Sequence, residues 1–525
     1  MNRHIHLRPA KVGSTCPSIT GADTIRESYA EYSSDESKKT GCNPERIFFP
    51  ETADEVSAAV AEIAKSGGRA TVSGARTGIA GGAVASAENL LSVSRIRGPV
   101  TVSKGEGDRW FARVPSSLSL DNLSSILATK DVISEYEVPD NLFYPVDPTE
   151  KSASIGGTVA TNASGARTLK YGPTRDWVRS IDIVLADGSA CTIERGKYLL
   201  SGKTMELKRK DGSSLLIPIE NIPWPDTKHT AGYYMRPGMD PIDLFIGAEG
   251  TLGIVTQVEL ALSARPAQRL GLFLFLKSDI AAQIVPEINA LSPAAVEYMD
   301  RESLELLKES RRLKIDGGTV PELPGDAGAA IYVEIEAESE EAIEEVYEAL
   351  LPLFEKYDIP EDHTWAGFSD HELDRMKAFR HALPERVNNI IAERKRSLPS
   401  LTKIGTDMAV PLHELRGMLD LYKHALDDER IEYCIFGHIG NGHVHVNILP
   451  KSMDERKKGY TLYRDFARHA VACGGSVAGE HGIGSLKREF MEIQFSKDQL
   501  DSMIAVKRAL DPALLLNPGV IFDLS

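Results

Sequence analysis

The sequence predicts an α+β protein built from two large units. The chain has 525 residues, several times the usual size of one domain, so a single core is not expected. Strand patterns alternate with helix patterns, and the proline-containing run Arg265-Pro266-Ala267 separates two such regions. We therefore expect an N-terminal extension over residues 1–44, a first unit over 45–266 and a second unit over 267–525.

Composition and charge exclude several classes of protein. The net charge of −16 disfavours non-specific attraction to nucleic acid or to anionic lipid, so we expect no nucleic-acid partner. The sequence contains no apolar run of about 18 residues and its start lacks the apolar core of a secretory signal. We therefore expect no transmembrane segment and a cytoplasmic location. The five cysteines are far apart and form no Cys-x-x-Cys pair, so any redox chemistry needs another carrier.

The first unit begins with a clear helix signal. Thr52 is a candidate N-cap, Glu55 follows three residues later, and apolar residues at helical spacing continue until Gly67-Gly68. Further along, the mostly apolar run 181–186, the pair Asp187-Gly188 and the run 191–193 predict a hairpin.

The second unit shows both strand and helix patterns. Residues 272–276 predict a buried strand, and apolar residues at 331, 333 and 335 alternate with glutamates as in an amphipathic strand. Apolar positions between 342 and 350 follow helical spacing. We interpret the eight glutamates between residues 334 and 348 as the solvated faces of that strand and helix.

Three segments rich in glycine and other small residues lie in the first unit, at 73–83, 154–165 and 247–255. Such residues leave nothing to fill a core and let backbone approach a flat object or an anion closely. The first segment lacks both the lysine of a P-loop and the strand–G-x-G-x-x-G–helix arrangement. Any one of the three is compatible with simple tight turns, whereas three in one unit favour a cofactor surface.

Histidines are concentrated in two short segments near the C-terminus. His443, His445 and Asn447 are spaced by two, so on a strand they project from one face, and His438 lies across a glycine turn from them. Imidazoles together with a carboxylate such as Glu480 form a nitrogen and oxygen set that suits a divalent transition metal. The alternative is a group of hydrogen-bonded structural histidines.

Together with Lys170-Tyr171-Gly172-Pro173-Thr174 and the run 228–233, these segments resemble a known enzyme family. The chain is similar to FAD-binding oxidoreductases of the vanillyl-alcohol-oxidase type, in the branch of D-lactate dehydrogenase, glycolate oxidase and D-2-hydroxyglutarate dehydrogenase. The likeness is strong over 45–265 and 430–525 and loose between them. It implies a two-subdomain FAD-binding domain followed by an α+β substrate (cap) domain whose C-terminus returns to the flavin.

The resemblance implies that FAD is bound without a covalent link, since the first loop lacks the histidine that attaches flavin in other branches. That loop also departs from the family's arginine and three glycines, and Arg76 is a candidate cation near the pyrophosphate. The first segment is expected at the pyrophosphate, the second at the pyrophosphate and isoalloxazine, and the third at the adenine and ribityl chain. The expected FAD-binding residues are Ser73, Gly74, Ala75, Arg76, Thr77, Gly78, Gly156, Gly157, Asn162, Gly165, Gly250, Thr251, Gly253, Ile254 and Asn517.

The resemblance also implies roles around the histidines. A divalent ion of the zinc or manganese type is expected on His438, His445 and Glu480, although Asn441 and His443 stand where the family has aspartate and asparagine. The other expected roles are a base at His481, a substrate contact at Asn447, and binding of the substrate carboxylate by Arg380 and Lys403.

The implied reaction is oxidation of a small D-2-hydroxy acid, of the D-lactate, glycolate or D-2-hydroxyglutarate type. The product is the 2-oxo acid, a hydride passes to flavin N5, and electrons leave to an external acceptor. One alternative is a flavoenzyme similar to alkyl-glycerone-phosphate synthase, which catalyses no net oxidation. Another is a binding or scaffold protein with a degenerate flavin fold. The assembly state stays open, a homodimer being one option.

Overall fold

The computed structural model describes residues 16–198, 200–315 and 317–524. Their strands form four sheets. The strands are β1 (Ser18–Thr20), β2 (Arg46–Phe48), β3 (Ala70–Ser73), β4 (Asn89–Ser92), β5 (Thr101–Lys104), β6 (Trp110–Pro115), β7 (Leu142–Phe143), β8 (Val178–Val184), β9 (Ala190–Glu194), β10 (Leu200–Ser201), β11 (Thr204–Lys208), β12 (Ser214–Pro218), β13 (Ile254–Ala264), β14 (Gln268–Leu276), β15 (Ala295–Asp300), β16 (Ala329–Ala337), β17 (Thr364–Gly367), β18 (Ile404–Gly405), β19 (Tyr433–Gly437) and β20 (His445–Ile448).

Helices lie between the strands throughout. They are α1 (Ala22–Ser28), α2 (Ala53–Lys65), α3 (Leu120–Thr129), α4 (Ile155–Thr161), α5 (Thr168–Tyr171), α6 (Thr174–Trp177), α7 (Ala281–Asn289), α8 (Arg301–Arg312), α9 (Glu340–Lys356), α10 (Asp370–Lys395), α11 (Leu415–Asp428), α12 (Met453–Ala472), α13 (Met491–Gln494) and α14 (Lys497–Leu510). No helix in the described parts of the chain is both long and apolar enough to cross a bilayer.

The first sheet has the strand order β1-β2-β4-β3, in which β2, β3 and β4 run parallel. Helix α2 begins as predicted, because the Thr52 hydroxyl accepts a hydrogen bond from the Glu55 amide at 3.2 Å. Its buried residues, Val56, Val60 and Ile63 among them, join the core cluster that this sheet contributes to.

Part of the expected N-terminal extension belongs to this sheet. Strand β1 pairs antiparallel with β2, and α1 follows it. The structure differs from the expectation because Ile25 and Tyr32 are buried in a small apolar cluster with Phe49. Residues 1–15 lie outside the described part of the chain.

The second sheet has the order β5-β6-β13-β8-β9, and β7 also pairs with β13. Strands β8 and β9 form the predicted hairpin, with Ile183 opposite Cys191. Strands β10, β11 and β12 form a separate three-stranded sheet.

The fourth sheet is antiparallel and has the order β17-β14-β16-β15-β19-β20-β18. Its strand β14 confirms the predicted buried strand and is covered on both faces. Leu272 and Leu274 belong to one core cluster, together with residues of α7 and α9, whereas Phe273 and Phe275 belong to another, with residues of α8 and α10. The run 265–267 connects β13 to β14 and so lies between the second and fourth sheets.

The interpretation of the glutamates as solvated is wrong for strand β16. The side chains of Glu334 and Glu336 are 9% and 1% exposed. Arg167 binds Glu334 at 2.6 Å, and Lys170 binds Glu336 at 3.1 Å. These cations come from the region before the linker, so the two carboxylates hold the first unit against the fourth sheet.

The C-terminus returns to the first unit, as expected. The Ala70 amide of β3 donates to the Leu515 carbonyl at 2.8 Å, and the Asn517 amide donates to the Ala70 carbonyl at 2.8 Å. The last residues of the chain therefore extend the edge of the first sheet.

Candidate active site

The three glycine-rich segments lie against one another. A Cβ atom at Gly74 in the first segment would be 3.1 Å from Ser154 Oγ at the start of the second. In the third segment, the Gly247 amide donates to the Val159 carbonyl at 2.9 Å and the Glu249 amide donates to the Ala160 carbonyl at 2.7 Å. The structure thus brings together the segments that the sequence analysis assigned to FAD.

The first segment leaves β3 as an open loop. The Ser73 side chain is buried, and its hydroxyl has no hydrogen-bond partner among the described residues. A Cβ atom at Gly78 would meet no described atom within 4 Å. Arg76 adopts a φ of 60°, and its guanidinium lies 4.2 Å from the centre of the Tyr32 ring. The guanidinium that was expected near the pyrophosphate is therefore stacked on an aromatic ring.

Close backbone contacts explain several small residues of the second segment. A Cβ atom at Gly156 would lie 2.6 Å from Ser116 Cβ, and one at Gly165 would lie 2.2 Å from the Asp147 carbonyl oxygen. Gly157 donates its amide to the Ser154 cap of α4 at 3.3 Å. Asn162 ends that helix at a φ of 48° and accepts a hydrogen bond from the amide that follows Thr174.

The third segment is tied to the C-terminus. Asn517 accepts from the Val72 amide at 2.6 Å and donates to the Glu249 carbonyl at 2.7 Å, and a Cβ atom at Gly250 would lie 2.7 Å from its amide nitrogen. Thr251 uses its hydroxyl for internal hydrogen bonds. Gly253 and Ile254 lead into β13, where the Ile254 side chain is in the core.

These features fit FAD. A buried hydroxyl without a partner at Ser73 calls for an acceptor or donor from outside the described chain, because such a group is costly to leave unpaired. A Cβ atom at Gly78, on the same loop, would meet no described atom within 4 Å. The unpaired hydroxyl and this open position are the two observations that fit a cofactor beside the loop.

The histidines also converge. Glu480 Oε2 lies 3.2 Å from His438 Nε2, 3.8 Å from His445 Nε2 and 4.0 Å from His443 Nδ1. The ligand atoms of these four residues all lie within 4.8 Å of one another. Three of the four are the residues assigned to the metal.

In each imidazole, the outer nitrogen, which is the one facing away from Glu480, lies beside a hydrogen-bond acceptor. His438 donates to Glu297 at 2.6 Å, and His445 donates to the Thr406 carbonyl at 3.0 Å. The Nε2 atom of His443 lies 3.1 Å from Asp407. When only its outer nitrogen is protonated, each of the three rings directs a lone pair towards Glu480, which is the arrangement typical of metal-binding histidines.

Charges stabilise the ionised form of Glu480. Burial alone would raise the pKa of this carboxyl group, but His438 and Lys228 hold the pKa well below its usual range. Burial would likewise lower the pKa of His438, yet the carboxylates of Glu297 and Glu480 raise it to about 9. In the absence of an ion, His438 is therefore a cation at neutral pH.

His481 follows Glu480 and is the most exposed of these imidazoles. Its Nδ1 lies 3.2 Å from Asp407 Oδ1, and its side chain is 26% exposed. Burial lowers the pKa of His481 to about 4, although Asp407 opposes the shift. The ring is neutral at pH 7 and able to accept a proton. Its plane stacks on His445 with ring centres 5.1 Å apart.

The residues expected to bind the substrate carboxylate lie next to this cluster. Arg380 on α10 binds Glu297 at 2.6 Å, and Glu297 is the residue that holds His438. Lys403 donates to the Asn447 side chain at 3.2 Å. Arg380 is thus joined to His438 through Glu297, and Lys403 contacts Asn447 directly.

Three charged residues of the site were not predicted: Glu297, Asp407 and Lys228. Glu297 is buried in β15, where its only local signal was a carboxylate inside an apolar run. Asp407 accepts from the amides of Glu480 and His481 and pairs with Lys487. A residue that orders a loop more than 70 positions away has no signature in its own neighbourhood.

The two halves of the site meet. Ser164 of the second segment donates to Glu480 at 3.1 Å, and Lys228 pairs with the same carboxylate. In the third segment, Glu249 accepts hydrogen bonds from the amides of Ile483 and Gly484, both at 2.8 Å. The small-residue segments and the imidazoles therefore line one site.

Comparison with known families agrees with this arrangement. A model described as "FAD binding domain" matches residues 44–194, and one described as "FAD linked oxidases, C-terminal domain" matches residues 265–521. The chain belongs to the FAD-linked oxidases. This FAD-linked oxidase is an FAD-dependent dehydrogenase or oxidase, which confirms the predicted resemblance, FAD as a cofactor and the enzyme class.

Relatives with curated names cover nearly the whole chain. Glycolate oxidase subunit GlcD of Bacillus subtilis is 27% identical over 96% of this chain and 95% of its own length. D-lactate dehydrogenase of Anaerostipes hadrus is 27% identical over 91% of this chain and 89% of its own. D-2-hydroxyglutarate dehydrogenase of Stutzerimonas stutzeri is 26% identical over 98% and 97%.

A solved structure of alkyldihydroxyacetonephosphate synthase has the same overall fold. The TM-score is 0.58, with 14% identity over 90% of this chain and 77% of the other. The likeness confirms the fold class and, at this identity, the fold alone.

Proposed function

We propose that this FAD-linked oxidase converts a D-2-hydroxy acid to the corresponding 2-oxo acid. The observation that carries the proposal is the junction at Glu480, which joins the FAD-binding segments to a buried imidazole cluster beside an arginine. The names of the three relatives, which concern glycolate, D-lactate and D-2-hydroxyglutarate, support this substrate class. FAD, bound without a covalent link, would supply the acceptor for the hydride that leaves the α-carbon.

Arg380 binds the substrate carboxylate in this proposal. Its planar guanidinium can engage both carboxylate oxygens, and Glu297 holds the side chain in place from one side. Asn447 and Lys403, which contact each other, provide further polar groups for the substrate. The substrate is thereby oriented by charge and by hydrogen bonds before any proton moves.

His481 accepts the hydroxyl proton. Asp407 lies beside its Nδ1 and fixes the ring, which leaves Nε2 as the basic atom. Since the pKa of His481 lies at about 4, the ring is in its neutral, proton-accepting form at pH 7. Lys487 also binds Asp407, at 2.8 Å, and so keeps the aspartate ionised.

His438, His445 and Glu480 would hold a divalent ion of the zinc or manganese type. The orientation of their inner nitrogens and the burial of Glu480 fit such an ion. The ion would polarise the substrate hydroxyl and lower its pKa.

The electron acceptor lies outside the chain in this proposal. The five cysteines are free, and none belongs to a Cys-x-x-Cys pair, so the sequence provides no iron–sulfur site to which the flavin could pass electrons. Candidate acceptors are a quinone, a cytochrome, another redox protein or oxygen.

Anaerobic titration of the flavin-loaded enzyme tests the proposal. Samples receive D-lactate, L-lactate, glycolate or D-2-hydroxyglutarate, and the flavin absorbance is followed. We expect bleaching by at least one D- or achiral acid and none by L-lactate. A flavin that stays oxidised with all of these acids would contradict the proposed reaction, as would faster reduction by L-lactate than by the D-enantiomer.

A further inference from the structure

The buried imidazole of His443 has one nitrogen without a partner. Its side chain is 0% exposed, and the described residues offer no hydrogen-bond partner to Nδ1. The Glu480 oxygen nearest to Nδ1 is 4.0 Å away, which is too far for a hydrogen bond. A buried nitrogen left in this state costs about 1–3 kcal/mol, so an unpaired group here needs an explanation.

The surroundings fix where that nitrogen points. Asp407 lies 3.1 Å from the opposite nitrogen, Nε2, and so favours the tautomer in which Nδ1 carries the lone pair. The ring packs against Gly479, where a Cβ atom would lie only 2.9 Å from Nε2. A side chain at position 479 would therefore displace the ring, and glycine leaves the room that the imidazole uses.

The free nitrogen belongs to the same cluster as the residues assigned to the ion. The His443 ring centre lies 4.5 Å from that of His445 and 5.7 Å from that of His438. A tetrahedral ion with bonds of about 2.0 Å has ligand atoms about 3.3 Å apart. The separations from Glu480 of 3.2, 3.8 and 4.0 Å bracket that value closely enough for small side-chain rotations to close the set.

We propose that His443 is a fourth protein ligand of the divalent ion, so that three imidazoles and one carboxylate hold it. This inference rests on the metal site of the proposed function and goes beyond the three ligands that the resemblance implies. Zinc would then need a fifth coordination position to bind the substrate hydroxyl, an expansion that occurs in catalytic zinc sites. Manganese or cobalt, which accept more ligands, would keep free positions in the same site.

Cobalt binding to the full-length, flavin-loaded and chelator-treated enzyme tests the assignment. The variant is His443→Asn, and the matched control is His469→Asn, whose histidine is exposed near the end of α12. We expect one Co²⁺ per chain in the wild type, binding at least about tenfold weaker in His443→Asn, and a changed visible cobalt spectrum in that variant alone. Unchanged affinity and spectrum in His443→Asn would overturn the proposal, as would the absence of stoichiometric binding in the wild type.

A second measurement, on the wild type, tests the proposal even if the His443→Asn variant fails to fold. X-ray absorption of the cobalt-loaded wild type counts the imidazoles on the ion, and three support the proposal whereas two refute it. Both readouts are independent of turnover. If no 2-hydroxy acid reduced the flavin, the proposed function would be wrong. X-ray absorption would still show whether His443 binds the ion.

Discussion

Ser164 Oγ donates a hydrogen bond to Glu480 Oε1 at 3.1 Å, although the two residues are 316 positions apart in the sequence. One belongs to the second glycine-rich segment and the other to the imidazole cluster. In the proposed function, this contact would bring the flavin and the proton-accepting imidazole into one site, which oxidation of a hydroxy acid requires.

Gly78→Ala is expected to weaken FAD binding without destabilising the protein itself. A Cβ atom at this position meets no described atom within 4 Å, so the methyl group would project into the space assigned to the cofactor. The dissociation constant for FAD, measured by flavin fluorescence after removal of the cofactor, should rise about tenfold, a loss of about 1.4 kcal/mol. Gly325→Ala, also in open space, is the control. Equal FAD affinity in both variants would place the cofactor elsewhere.

Arg380→Lys is expected to raise KM for the 2-hydroxy acid by about tenfold or more and to change kcat less. Lysine keeps the charge beside Glu297 but loses the planar two-point contact with a carboxylate. Stopped-flow reduction of the flavin at varied substrate concentration separates the two effects. Arg375→Lys, exposed on the same helix, should behave as the wild type. The assignment is wrong if the two variants have the same KM.

Arg167→Met is expected to lower the free energy of unfolding by about 3–5 kcal/mol, because it leaves a buried carboxylate without its cation. Arg167 binds Glu334 at 2.6 Å, and their side chains are 21% and 9% exposed. Chemical denaturation measures the loss. The control Lys203→Met removes an exposed pair with Glu220 and should cost less than about 1 kcal/mol. Similar losses in the two variants would mean that the buried ion pair contributes no more to the free energy of unfolding than the exposed one.

Glu249 is expected to make stability depend on pH. Burial raises the pKa of its carboxyl group from 4.5 to about 7, against the opposing effect of the Ile483 and Gly484 amides. Because the folded chain holds this proton more tightly than the unfolded chain, the contribution to stability is full below pH 4.5 and is lost as the pH rises to about 7. In thermal unfolding between about pH 5 and pH 8, Tm should fall less in Glu249→Gln than in the wild type. Parallel curves would show that the carboxyl group does not titrate in this range.

The sequence predicted those parts of the fold that depend on local signals. The N-cap of α2 involves only Thr52 and Glu55, which are three residues apart, and the hairpin of β8 and β9 turns at Asp187-Gly188. The sequence also predicted that the histidines converge, although His443 precedes β20, which begins at His445.

Long-range partners explain what the sequence did not predict. Glu334 and Glu336 alternate with apolar residues as solvent-facing side chains do, and they are buried only because Arg167 and Lys170 reach them from another unit. The order of residues 18–33 depends in the same way on pairing with a strand that follows it in the chain. Such partners leave no trace in local periodicity.

Anaerobic flavin reduction in His481→Ala tests the proton-accepting role of this imidazole, with His413→Ala as the control on an exposed histidine. We expect both variants to retain FAD and the flavin of the control to be bleached by the 2-hydroxy acid that reduces the wild type. The flavin of His481→Ala should stay oxidised, because Asp407 no longer has a proton-accepting ring to hold. Bleaching of the His481→Ala flavin at the wild-type rate would contradict this role.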